Sequence, residues 1–138
     1  MKLIKNEKGQ SMVETALVLP LVISLILGIF DFGWLFYNKL QVENCAREGA
    51  RYAAVSYDVS SAVASEADIK NYVNTLKPDN LTFTIAVTPT AHSGGDVNGY
   101  LTIAINTNVQ TLTPLIGAFF PGGVCHMEAS CTMHREKP

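Results

Sequence analysis

The stretch Thr15 to Phe30, TALVLPLVISLILGIF, carries no ionisable side chain over 16 residues, and any fold of this chain must accommodate it. Wound as an α-helix it spans about 24 Å, slightly short of a hydrocarbon core of ~30 Å. Past Asp31 the apolar character resumes with Phe32, Trp34, Leu35, Phe36 and Tyr37, rings that favour a membrane boundary because each joins an apolar body to a polar tip. A buried core helix would need apolar neighbours on every face, more than 138 residues can supply. A cleaved secretory signal would need small residues just after the apolar core, whereas here Asp31-Phe32-Gly33-Trp34 follows. The stretch therefore reads as a membrane anchor, over residues 15–37.

Upstream lie Lys2, Lys5 and Lys8, then Gly9, and five positions after that glycine a single carboxylate, Glu14. An ionisable group at the edge of an apolar helix is costly and is usually kept for function. Gly9-Gln10-Ser11-Met12-Val13-Glu14 behind a basic leader resembles the processing site of type IV prepilins. The resemblance implies that a prepilin peptidase removes residues 1–9 and leaves Gln10 as the new N-terminus. It also implies that the Glu14 carboxylate pairs with the freed amine of a neighbouring subunit. Thr15 departs from the pattern, standing where those prepilins usually have an aromatic residue. The leader holds three lysines against one glutamate, so its removal takes +2 from a chain of net −2 and leaves −4. The positive-inside rule sets the N-terminus in the cytoplasm and the remainder outside it.

From Leu35 to Ser56 no proline intervenes, and Leu35, Tyr37, Leu40, Ala46, Ala50, Ala53 and Ala54 continue a helical pattern. Glu43 with Arg47 and Glu48 with Arg51 have the spacing of ion pairs on a solvated face. The alanine-rich half offers a shallow surface for close packing by a sheet, while Pro20, Gly28, Gly33 and Gly49 are the expected weak points of the rod. Two blocks in this region, Leu27-Gly28-Ile29-Phe30-Asp31-Phe32-Gly33-Trp34-Leu35-Phe36-Tyr37 and Ala46-Arg47-Glu48-Gly49-Ala50-Arg51-Tyr52-Ala53-Ala54-Val55, resemble the TadE-like family. Members of that family are pilin-like components of the tight-adherence (Tad, or Flp) pilus machinery, processed by a prepilin peptidase. The likeness is close over about residues 9–56. It is looser at the far end, where Thr113-Pro114-Leu115 and Ala129 to Met133 echo the family's closing pattern and His134 stands before the expected arginine, Arg135.

Beyond the helix the composition changes. Asp58-Val59-Ser60-Ser61 offers helix-capping residues, and Ala62, Ala67, Ile69, Tyr72, Val73 and Leu76 recur at helical spacing, predicting an amphipathic helix over 61–76. Three runs alternate as strands do: Leu81-Phe83-Ile85-Val87, Leu101-Ile103-Ile105, and Cys125-Met127-Ala129-Cys131-Met133. A flexible loop, His92 to Gly99, joins the first two. The expected fold is α+β and pilin-like, a long N-terminal transmembrane helix packed on a small antiparallel sheet with one extra helix. The expected organisation is a leader over 1–9, the long helix over 10–56 and an extracytoplasmic domain over 57–138. Leu115 to Phe120 is an apolar run that this scheme leaves over, either a loop folded on the end of the core or a patch that docks on membrane or partner.

Chemistry-bearing patterns are sparse. Cys125-His126 and Cys131 with His134 approach ligand spacing, but alternation along a strand sends the cysteines to one face and the histidines to the other. Cys125 and Cys131 lie about 20 Å apart in an extended strand, too far for a disulfide, and Cys45 reads either as a disulfide partner of one of them or as a buried free thiol. There is no phosphate loop, no nucleophile with a base and no paired catalytic carboxylates. With only 16% charged residues and no basic cluster outside the leader, nucleic-acid binding and small-molecule catalysis have no support, and no metal or cofactor is expected. The reading is a non-enzymatic minor pilin or pseudopilin of a Tad/Flp pilus, in the bacterial inner membrane or incorporated in the pilus. Its expected partners are other pilins, the prepilin peptidase, inner-membrane platform proteins and lipid, and its expected site residues are Gly9, Gln10 and Glu14. The alternatives are a membrane-tethered receptor or adhesin domain outside the filament, and a major pilin, disfavoured because the Flp-type major pilins it would resemble are far shorter.

Overall fold

A computed structural model describes residues 7–56, 65–90 and 99–134. One helix, α1 (Glu7–Ser56), runs for 50 residues. It is followed by α2 (Glu66–Leu76), strands β1 (Phe83–Thr90) and β2 (Tyr100–Gln110), a one-turn helix α3 (Pro114–Gly117), a 3-10 turn at Pro121–Gly123, and β3 (Val124–His134). The three strands form an antiparallel meander in the order β1-β2-β3. This is the α+β arrangement expected, with α3 as a second extra helix that overlaps the start of the run the sequence pattern left over. Pro114 starts it, since its fixed φ suits a first helical position.

The two halves of α1 have different surroundings. From Gln10 to Phe30 every residue is exposed except the half-buried Ser24 and Gly28. Its apolar window has a mean hydropathy of 2.4 with no part buried, and the helix is long and apolar enough to cross a membrane. Thr15 and Ser24 return their hydroxyls to the carbonyls of Ser11 and Pro20, at 2.9 and 2.8 Å, so that stretch presents few unmet donors to lipid. From Asp31 onward one stripe is buried: Asp31, Leu35, Asn38, Val42, Cys45, Gly49 and Ala53, with Ala46, Ala50 and Ala54 beside it. The steps of four and three keep the stripe on one side of the helix.

That stripe lies on the sheet. Leu101, Ile103, Ile105 and Val109 of β2 and Met127 and Ala129 of β3 are buried against it, with Ile69 and Val73 of α2 closing the core. Register makes this inevitable, because Ile105 stands opposite both Ile85 and Ala129, and Ile103 opposite Val87 and Cys131. The outer face carries Thr102 and Thr132, whose hydroxyls are 2.8 Å apart, and His126 beside Asn108.

The close approach expected of the alanine-rich half is sharpest at Gly49. A Cβ there would meet Val73 Cγ2 at 2.5 Å and Ile103 Cδ1 at 3.3 Å. Gly49 is thus where α1, α2 and β2 meet, the opposite of a weak point. Through Pro20, Gly28 and Gly33 the helix is also unbroken. The expected solvent-side pairs are present, Glu43 with Arg47 at 3.5 Å and Glu48 with Arg51 at 4.0 Å, and at such exposure they contribute little.

α2 begins later than the spacing predicts. Its cap is Ser65, whose hydroxyl accepts from the Asp68 N–H while the Asp68 carboxylate accepts from the Ser65 N–H at 2.8 Å. This reciprocal box satisfies two donors at the helix start. The caps expected at Asp58 to Ser61, helical position Ala62, most of the His92–Gly99 loop and Arg135 lie outside the described residues.

Candidate functional site

The residues singled out in the sequence for processing and assembly lie together at the start of α1. Gln10 and Glu14 are exposed, Gly9 is half-buried, and the helix runs through the Gly9–Gln10 bond. Gln10 and Glu14 are one helical turn apart, on one face. Among the described residues Glu14 has no hydrogen-bond or ion-pair partner. It is the sole charge between Gly9 and Asp31, on a rod that no other described residue covers.

A second polar cluster sits where the rod meets the domain. Asp31 is fully buried. One of its oxygens accepts the backbone N–H of Leu112 at 2.8 Å and of Thr113 at 3.1 Å, and the other accepts the Thr113 hydroxyl. One turn on, the Trp34 indole N–H donates to the Gln110 carbonyl at 3.2 Å. A further turn on, Asn38 donates to the Trp34 carbonyl at 2.8 Å and accepts from Asn80 at 3.1 Å. Lys39 reaches the Glu128 carbonyl. Four side chains of α1 thus hold the loops and strand at the rod-proximal end of the domain.

The sequence pattern ends the apolar stretch at Asp31 and gives it no partner. A signal for its burial exists, since Asp31, Leu35, Asn38, Val42, Cys45 and Gly49 form one run of four-three spacing. That run contains two polar residues, and an apolar count passes over them. Their partners are 42 and 81 positions away, so the pairing is set by tertiary structure alone.

The cysteines are all free thiols. Of the two readings open for Cys45, the buried thiol is the one present: its Sγ–H donates to the Leu76 carbonyl at 3.4 Å, and burial pushes the thiol pKa up. Cys125 and Cys131 are half-buried on the core side of β3, and His126 and His134 are exposed on the other. Among the described residues no three His, Cys, Asp or Glu side chains gather as metal ligands would.

No curated protein matches the chain. No solved structure matches it either. Residues 9–51 match the family model described as TadE-like protein, a segment that takes in the exposed rod, both polar clusters' anchoring residues on α1 and the start of the alanine-rich surface. The long helix of this chain is therefore similar to that of TadE-like proteins, the family that its two sequence blocks resemble.

Proposed function

We propose that this protein is a minor pilin or pseudopilin of a Tad/Flp pilus, anchored by α1 with its domain outside the cytoplasm, and that it helps to initiate or assemble the filament. The observation that carries the reading is the bare apolar half of α1 with its lone carboxylate, within a segment that matches the TadE-like family. An apolar rod with no cover of its own needs either lipid or the rods of other subunits. A pilin uses both in turn, lipid before assembly and a bundle of like helices after it.

Glu14 sets the register of that exchange. Removal of residues 1–9 frees the Gln10 amine, and the carboxylate of one subunit meets the amine of the next. Paired, the two charges tolerate a packed apolar environment; alone, either costs several kcal/mol. Gly9 lies in the first turn of α1, where N–H groups lack intrahelical partners and unwinding for a peptidase is easiest. The function is mechanical and no enzymatic step belongs to it.

The test follows from the pairing. The membrane-extracted protein should begin at Gln10, and Gly9→Ala should retain the precursor. Glu14→Gln should still be cleaved and inserted, because an uncharged helix enters lipid at least as readily, yet piliation and co-purification with other pilins should be lost. Full piliation with Glu14→Gln would reduce the glutamate to an interfacial residue and favour a tethered receptor or adhesin.

A further inference from the structure

The apolar stretch of α1 is about four residues too short for a typical bilayer, because 16 residues give about 24 Å against ~30 Å. An exposed Asp31 would end it there. The structure removes that stop, since the Asp31 carboxylate is turned inward and its oxygens are taken up by Leu112 and Thr113. At this level the surface offered outward is instead Phe30, Phe32 and Phe36 of α1, all about two-thirds exposed. Beside them α3 packs on α1, and its surroundings expose Leu112, Leu115 and, at 81%, Phe119.

The 111–124 segment has a further property that suits a lipid boundary. It carries no ionisable side chain. Most of its backbone donors are met inside the protein: Thr111 N–H by Gly123 O, Leu112 and Thr113 by Asp31, Gly117 by Thr113, Ala118 by Pro114, Phe119 by Ile116, Phe120 by Gly117 and Gly123 by Phe120, all within 2.8–3.2 Å, while those of Leu115, Ile116 and Gly122 have no partner among the described residues.

We infer that Leu112 to Phe120 lies in the headgroup–acyl boundary of the leaflet facing the domain, so that the domain rests on lipid through Leu112, Leu115 and Phe119. The proposal depends on α1 spanning the membrane. Its occupant is lipid because the patch continues the surface of the spanning segment at the depth fixed by Asp31. The consequence is a fixed tilt and height for the domain before assembly, and a patch that must be withdrawn from lipid when the subunit leaves the membrane.

The full chain in phosphatidylcholine vesicles, with lipid brominated on the acyl carbons nearest the headgroup, tests this by fluorescence. Trp34 is the sole tryptophan and reports on the anchor. Trp34→Phe combined with Phe119→Trp reports on α3, with Trp34→Phe plus Leu115→Trp as the second reporter should the first fail to fold by circular dichroism. Strong quenching of both sites by brominated lipid, with blue-shifted emission and protection from aqueous iodide, is the expected result. Quenching of Trp34 by lipid but of the α3 reporters only by iodide overturns the inference while leaving the anchor intact, and assigns the patch to a protein partner. Iodide quenching at both sites overturns the inference and the anchor together.

Discussion

Asp31 is fully buried and joins α1 to the 112–113 backbone. A buried carboxylate left without donors is expensive, and here three donors answer it. Asp31→Ala strands the N–H groups of Leu112 and Thr113, each at about 1–3 kcal/mol. It should lower the melting temperature and open the 111–123 segment to protease, read by limited proteolysis with mass spectrometry. Asp31→Asn keeps one acceptor oxygen and should fall between the two. Gly49 shows the converse, a residue required for what it lacks. Gly49→Ala drives a Cβ to 2.5 Å from Val73, and the overpacking cost of about 1–3 kcal/mol exceeds the helix-propensity gain of up to about 1 kcal/mol. Thermal unfolding of the purified protein should show a net loss, relieved in part by Val73→Ala.

At the scale of elements, α2 depends on its start. Ser65 and Asp68 close a capping box, and the Ser65 backbone N–H, then its hydroxyl, hold the Asp68 carboxyl below its usual range. A lowered folded-state pKa stabilises the helix above the ordinary carboxylate range and loses that contribution as pH falls through the folded value. The α2 signals should therefore be unchanged from neutral pH down to the ordinary carboxylate range and weaken below it, as hydrogen exchange of Ile69 and Val73 would record. Ser65→Ala removes the hydroxyl cap at a cost of about 1 kcal/mol at neutral pH and should flatten that acid response. Tyr52 and Tyr72, stacked at 4.2 Å between centroids, tie the far end of α1 to the same helix. α2 is thus coupled to the rod and should melt with it.

For the whole molecule, the proposal fixes which side of the membrane the domain occupies. A cysteine introduced at Gly95, with Cys125→Ser and Cys131→Ser, should react with a membrane-impermeant maleimide in intact spheroplasts. Cys45 should stay silent in the folded protein, because it is buried and its thiol pKa is raised. Reaction only after lysis would reverse the orientation. The division of the molecule into a bare rod and a sheet-packed half also predicts that detergent removal aggregates the full chain through residues 10–30, with the sheet retained by infrared spectroscopy.

The long helix, its membrane-spanning composition, the strand pattern, the solvated charge pairs and the TadE-like blocks were all legible in the sequence. Each rests on local information, a periodicity or a run of side chains within a few turns. That Gly9, Gln10 and Glu14 share the start of one helix was legible for the same reason, as a spacing. Three features were not: the stripe that buries Asp31 and Asn38, the close approach at Gly49, and the apolar underside built from α1 and α3. All three depend on groups brought together across tens of residues, where the partner decides whether a polar or absent side chain is a fault or a fit. Sequence dictates which stretches must escape water; only the packing of β2, β3 and the 111–123 segment on α1 decides where the rod ends and the domain begins.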